Sequence, residues 1–182
     1  MDKIRLARPE DTTQILEIYR PHVLDTATSF ETELPSISEF HGRIGDTLIK
    51  FPWLVYEIEK QVIGYAYAGP HRSRCAYGWS VESTAYVSSR HHGKGVGTKL
   101  YSQLFKLLKT QGAVNVFAGI TQPNLASVRL HESLGFVQIG TFKDIGFKLG
   151  KWWDVGWWQL QLQKPDQPDA IQAPVNSFEI EI

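Results

Sequence analysis

The chain has 182 residues, 42% apolar and 21% charged, which suits one domain with an ordinary core and excludes a disordered chain. Its 19 basic residues balance 19 acidic ones, so it lacks the field that gathers a protein onto nucleic acid or an anionic bilayer, and neither is expected as a partner. A single cysteine, Cys75, excludes an internal disulfide framework and a thiolate zinc cluster.

Asp2, Lys3, Arg5 and Arg8 leave no apolar signal segment at the start, and no window reaches the roughly 18 apolar residues of a spanning helix, so a cytoplasmic protein is expected. Residues 3–7 alternate and predict a strand. Asp11, with Gln14 three residues on, predicts the N-cap of a helix whose apolar stripe is Ile15, Leu16, Ile18 and Tyr19 and which Pro21 ends or kinks. A polar loop around Phe30 follows, and then Ser36 and Glu39 form a capping box for a second helix with Phe40, Ile44 and Leu48 on one face. Strands are predicted over 53–58 and 61–68, the second broken by Gly69-Pro70, and a basic turn, His71-Arg72-Ser73-Arg74, leads to a strand that ends near Tyr86-Val87-Ser88. Gly93, Gly95 and Gly97 precede an amphipathic helix with Val96, Leu100, Leu104, Leu107 and Leu108 inward, closed near Gly112. A strand over 114–119, a short helix from Asn124 to about Leu134, and strands over 136–147 and 152–162 complete one mixed α/β domain. It is expected to occupy residues 1–163, with 164–182 as a C-terminal tail.

The glycine-spaced turn before a helix suits a phosphate, because backbone N–H groups converge there and the helix dipole adds positive charge; the plain alternative is a tight turn without a ligand. It fits neither the dinucleotide fingerprint, since Thr98 and Lys99 stand where the last glycine belongs, nor the Walker pattern. Arg90-x-x-Gly93-x-Gly95-x-Gly97, followed by Asn124-x-x-Ser127-x-x-Leu130-His131-x-x-x-Gly135-Phe136, resembles the acyl-CoA-binding segments of the GNAT superfamily of N-acetyltransferases. Within it, Tyr67-Ala68-Gly69-Pro70, Val81-Glu82-Ser83-Thr84-x-Tyr86-Val87-Ser88 and Trp152-x-Asp154-Val155-Gly156 resemble the phosphinothricin / methionine sulfoximine acetyltransferase group.

That resemblance implies a mixed, largely antiparallel sheet flanked by helices, with acetyl-CoA as cosubstrate held where two strands splay. It implies acetyl transfer to the amine of a small amino acid analogue, directly in a ternary complex, by a homodimer. Acetyl-CoA contacts are implied for Tyr86, Val87, Arg90, Gly93, Lys94, Gly95, Val96, Gly97, Thr98, Asn124 and Ser127, although Asn124 equally suits a helix cap. Glu82 takes the position of the general base, against the plain reading of a surface carboxylate. His131 stands where many members carry a tyrosine acid for the departing thiolate, and the alternative is a core or capping histidine. Acceptor contacts fall on Phe30, Arg72, Arg74, Tyr77 and Thr84. Leu149 and Trp153 depart from the histidines common in that group, and Trp157 from a smaller aromatic. His91-His92 lacks ligand spacing, His22, His41 and His71 are scattered, and no metal is expected. The competing readings are a non-catalytic acyl-CoA sensor and an acetyltransferase of another small amine. Trp152, Trp153, Trp157 and Trp158, alternating along one strand, are expected to build pocket wall on one side and subunit interface on the other.

Overall fold

Residue patterning sets the layers of this fold. In the computed structural model, which describes residues 2–165, β2 (Trp53–Ile58) is buried almost throughout, as befits a strand covered on both faces. Leu54 and Tyr56 point to one core with β3 (Gln61–Pro70) residue Ile63, and Trp53 and Val55 point to a second core with Tyr65. The first core is closed by α3 (Val96–Thr110), whose Leu100, Leu104 and Leu108 are fully buried at helical spacing. The second is closed by α1 (Thr12–Leu24) through Ile15, Tyr19 and Val23, and by α2 (Ile37–Leu48) through Phe40 and Ile44.

With β1 (Asp2–Leu6), β4 (Ser80–Val87), β5 (Asn115–Gln122), β6 (Val137–Lys148) and β7 (Lys151–Gln161), the strands form one seven-stranded sheet in the order β1-β2-β3-β4-β5-β7-β6. A short helix, α4 (Leu125–Ser133), joins β5 to β6. Every neighbouring pair is antiparallel except β4 and β5. Those two pair only from Ser80–Asn115 through Glu82–Phe117, and then separate. The separation is what opens the molecule for a ligand.

The structure differs from the sequence expectations at three points. Pro21 lies within α1, which continues to Leu24; in the last turn the missing N–H forfeits one bond, on the solvent side between the exposed Glu17 and Pro21. Asp11 holds the expected N-cap position of α1, but its side chain accepts no capping bond from the first turn. Its carboxylate instead accepts from the Arg8 backbone N–H at 2.7 Å and from the Arg5 guanidinium at 2.6 and 2.8 Å, while the Gln14 amide oxygen accepts from Val62 N. Gly69-Pro70 does not break β3, because Pro70 is its last residue, where the absent donor is tolerated. The expected tail, apart from Lys164 and Pro165, lies outside the described residues.

Candidate active site

Beyond Glu82 the parted strands enclose a cleft of about 770 Å³. Thr84, Tyr86 and Val87 of β4 form one wall, Ala118, Gly119 and Ile120 of β5 the other, and the start of α3 closes one end. Gly93 and Gly95 adopt φ of +72° and +75°, in the left-handed region that side chains disfavour, while a Cβ at either would meet open space. Their role is therefore conformational. Gly97 is different: a Cβ there would come within 3.0 Å of Leu130 Cδ2, so it lets α3 lie against α4. Gly95 is the N-cap of α3 and offers no side-chain cap, which leaves the first-turn N–H donors available to an anion. That cradle fits a pyrophosphate. Gly93, Gly95, Val96, Gly97 and Thr98 line the cleft; Arg90 and Lys94 are exposed beside it and do not.

Asn124, Ser127 and His131 line the cleft from α4. Asn124 caps the helix, its side-chain oxygen accepting from Ser127 N at 3.1 Å. His131 is buried between Tyr101 and Phe136, with Nδ1 donating to the Ser127 carbonyl at 2.8 Å. That bond leaves Nε2 as acceptor, 3.2 Å from the Tyr101 hydroxyl. Burial lowers the pKa of His131 and favours its neutral form, the Ser127 carbonyl opposing only in part. Tyr101 also lines the cleft; its position three residues before Leu104, on the apolar stripe of α3, was the signal that could have revealed it.

The loop between α1 and α2 closes over the cleft through Thr28, Ser29 and Phe30. Ser29 Oγ shares a 2.6 Å bond with the Tyr19 hydroxyl, and the buried Lys148 ammonium donates to the carbonyls of Ser29, at 2.6 Å, and His22, at 3.3 Å. Burial lowers the pKa of Lys148. The Phe30 ring occupies the space a side chain on Gly146 of β6 would need, since a Cβ there would lie 2.6 Å from Cζ and 2.7 Å from Cδ2. Gly146→Ala is therefore expected to displace Phe30 at a stability cost of about 1–3 kcal/mol and, if Phe30 contacts the acceptor as the resemblance implies, to raise the acceptor KM by about tenfold or more. Initial rates at varied acceptor would check this, and an unchanged KM would remove Phe30 from acceptor binding.

His22 of α1 also lines the cleft, its Nδ1 2.8 Å from Thr28 Oγ1 and its ring against Tyr86. Burial, with smaller contributions from His92 and Lys148, pushes it down to about 4. An unfolded His22 binds a proton below about pH 6.5, whereas the folded one resists protonation until about pH 4. The unfolded state thus binds more protons in this window, and stability is expected to fall as pH drops through it. Allowing for partial exposure, the loss is on the order of 1–2 kcal/mol. Urea melts of wild type and His22→Gln at pH 7 and pH 5 test it: the variant should lose less between the two, and equal losses would refute it.

Glu82, the last β4 residue paired with β5, lies outside the cleft lining and is partly exposed. Its Oε1 is 2.9 Å from His71 Nδ1. His71 and Arg72 line a smaller pocket of about 190 Å³ with Phe117, Ile139, Gly140, Phe142 and Trp157. Tyr77 meets the His71 ring edge-on at 6.2 Å, while Arg74 lies exposed in the same turn. The candidates thus divide between a long cleft and an aromatic pocket with a cation. Sequence reasoning passed over His71, because nothing local ties it to Glu82 across the hairpin. No group of His, Cys, Asp and Glu that could hold a metal occurs among the described residues. Nor is any described helix long and apolar enough to cross a membrane.

The four tryptophans have separate fates. Trp158 is in the core, Trp157 walls the small pocket, Trp153 donates its indole N–H to the Lys148 carbonyl, and Trp152 is 60% exposed beside Phe147.

A seven-stranded sheet parted after one short parallel pairing, with an uncapped glycine-entered helix at the opening, defines an acyl-CoA-dependent acyltransferase. Residues 4–157 match the family model described as an acetyltransferase (GNAT) domain, and the chain belongs to the GNAT acetyltransferase family. It is 41% identical to a phosphinothricin N-acetyltransferase of Streptomyces viridochromogenes over 93% of either chain. It is 38% identical to an L-methionine sulfoximine/L-methionine sulfone acetyltransferase of Salmonella typhimurium, over 92% of this chain and 98% of that protein. The structure of a putative acetyltransferase from Salmonella typhimurium with acetyl-CoA superposes with a TM-score of 0.88 at 37% identity, covering 93% of this chain and 98% of that one.

Proposed function

We propose that this enzyme transfers the acetyl group of acetyl-CoA to the amine of a small amino acid of the phosphinothricin or methionine sulfoximine kind, by direct attack in a ternary complex. The observation that carries this reading is the junction at Glu82: the acyl-CoA-sized cleft opens just beyond it, and its carboxylate bonds to a residue of the small pocket. The relatives acting on phosphinothricin and on methionine sulfoximine support the acceptor class. Acetyl-CoA lies along Tyr86, Val87 and Thr98, with its pyrophosphate on the N–H groups from Gly93 to Gly97 and Arg90 and Lys94 reaching it from outside. Asn124 and Ser127 flank it. Arg72, with Arg74 nearby, meets the anionic head of the acceptor, and Tyr77, Phe30 and Thr84 bound its stem.

The acceptor arrives as an ammonium ion and must lose a proton before its nitrogen can attack, and the Glu82 carboxylate supplies the charge that draws it. Main-chain N–H groups of β4 left without a β5 partner are suited to the developing negative oxygen. Burial raises the Tyr101 pKa above the ordinary tyrosine value, far above the ~8.5 of a thiol, so its hydroxyl does not protonate the leaving thiolate, and it solvates that thiolate once its one hydrogen turns from His131 Nε2 to the sulfur. A neutral His131 holds that hydroxyl in place.

The same reading includes work in the cytoplasm, which supplies acetyl-CoA, and a homodimer. The exposed Ile139, Phe142, Ile145, Phe147, Leu149 and Trp152 on the β6–β7 hairpin at the sheet edge support the dimer. A monomer by light scattering at micromolar concentration would refute it. The function is tested by following free CoA with a thiol reagent while phosphinothricin, methionine sulfoximine and a panel of amino acids are offered. Turnover on the two analogues is the expected result. Tight acetyl-CoA binding without release on any acceptor would favour the sensor, and turnover only on unrelated amines would overturn the acceptor class.

A further inference from the structure

We propose that His71 is the group that takes the proton from the acceptor amine, with Glu82 behind it as the charge that steadies the resulting imidazolium. The inference rests on the acetyl-transfer reading above and goes one residue beyond it. His71 follows β3 directly, and its backbone N–H donates to the Ser80 carbonyl, which fixes it at the mouth of the β3–β4 hairpin. The ring lies flat on Phe117 with centroids 4.3 Å apart and meets the edges of Tyr77 and Trp157 at 6.2 and 6.1 Å. Three aromatic neighbours therefore fix its plane. Nδ1 is engaged by Glu82 Oε1 at 2.9 Å, so with a carboxylate as partner Nδ1 carries the hydrogen. Nε2 is then a free lone pair, with no hydrogen-bond partner among the described residues, on a ring that lines the small pocket.

A carboxylate on Nδ1 and an open Nε2 is the arrangement that makes imidazole an oriented base. Glu82 itself lines neither pocket, whereas His71 does. Charged and titratable groups facing the ring are Glu82 from β4, Tyr77 from the preceding turn and the adjacent Arg72; Phe117 of β5 and Trp157 of β7 contribute only apolar surface. Arg72 holds the acceptor's anionic head in the same pocket, which sets the ammonium of a short amino acid against Nε2.

The step balances. One ammonium proton passes to Nε2, and the freed nitrogen lone pair forms the N–C bond to the thioester carbonyl. The C–S bond breaks with its electron pair on sulfur, the second amine proton leaves through water to the thiolate, and the imidazolium returns its proton to solvent.

Two variants separate a base from a positioning residue. His71→Ala removes the ring, and His71→Asn keeps a donor where Nδ1 stands, so Glu82 stays anchored but no base remains. Both are expected to lose about 10²–10³-fold in kcat with the acceptor, with acetyl-CoA affinity within about threefold of wild type. Added imidazole should restore at least about fivefold of the lost rate in His71→Ala and none in His71→Asn. A His71→Asn rate within about fivefold of wild type, or no response of His71→Ala to imidazole, overturns the proposal and returns proton abstraction to Glu82. Loss of acetyl-CoA binding in both variants would likewise overturn it, as a structural role. Wild-type inactivity on every acceptor, with acetyl-CoA bound, would instead defeat the acetyl-transfer reading and this inference with it.

Discussion

Glu82→Gln is expected to lower kcat for acetyl transfer by about 10²–10⁴-fold while leaving acetyl-CoA affinity within about threefold. Glutamine is nearly isosteric and keeps an oxygen that can accept from His71 Nδ1, so the hydrogen bond at 2.9 Å and the ring packing on Phe117 survive. What disappears is the negative charge, and with it the stabilisation of a proton arriving from the acceptor. Because Glu82 sits where β4 and β5 part rather than in the cleft wall, the cosubstrate site is untouched by the change. Stopped assays across acceptor concentrations, with acetyl-CoA binding by calorimetry, give both numbers. A variant retaining more than about half the wild-type kcat would take Glu82 out of the mechanism.

Arg5→Met is expected to cost the fold about 3–5 kcal/mol at neutral pH without touching any cleft residue. Arg5 of β1 is bonded to both Asp11 oxygens, to Glu57 Oε2 through Nε at 2.8 Å and Nη2 at 2.6 Å, and to the Leu6 carbonyl. Its side chain is 14% exposed and those of Asp11 and Glu57 are 4% and 10% exposed, so methionine would strand two carboxylates in a poorly solvated site. Burial alone would raise the pKa of Asp11 and of Glu57, yet both are held below the usual carboxylate value, chiefly by bonds to Arg5. A carboxylate lowered in this way contributes stability above its unfolded pKa near 4 and loses it as pH falls through its folded value. In Arg5→Met those values rise, so protonation relieves the stranded charges. The deficit should therefore shrink between pH 7 and pH 4. Urea melts at the two pH values check the sign, and a neutral-pH loss below about 1 kcal/mol would show that Lys3 and water replace Arg5.

How far the site was legible in the sequence depended on whether its signals were local. The turn from Gly93 to Gly97 could be read directly, because left-handed φ and the missing cap of α3 are properties of a few consecutive residues. The Ser36–Glu39 capping box was legible for the same reason. Asp11 was legible as the N-cap of α1 but not as a partner of Arg5, because a carboxylate suited to capping is equally good at accepting a guanidinium. Pro21 misled because a proline in a final turn forfeits little, and the sequence alone does not say which turn is last. Phe30 on Gly146, Lys148 on the Ser29 carbonyl and His71 on Glu82 join residues far apart in the chain, and no periodicity encodes them.

By itself, then, the sequence determined the order of seven strands and four helices, the apolar stripes of the longer helices and the glycine turn at the head of α3, since each follows from the spacing of neighbouring residues. Only the tertiary structure decided that β4 and β5 part after Glu82, that His131 is buried beneath Tyr101, and that a histidine with no local signal is bonded to the candidate base. Those features depend on strand register and on which side chains meet across the sheet, and both are settled when distant segments pack against one another.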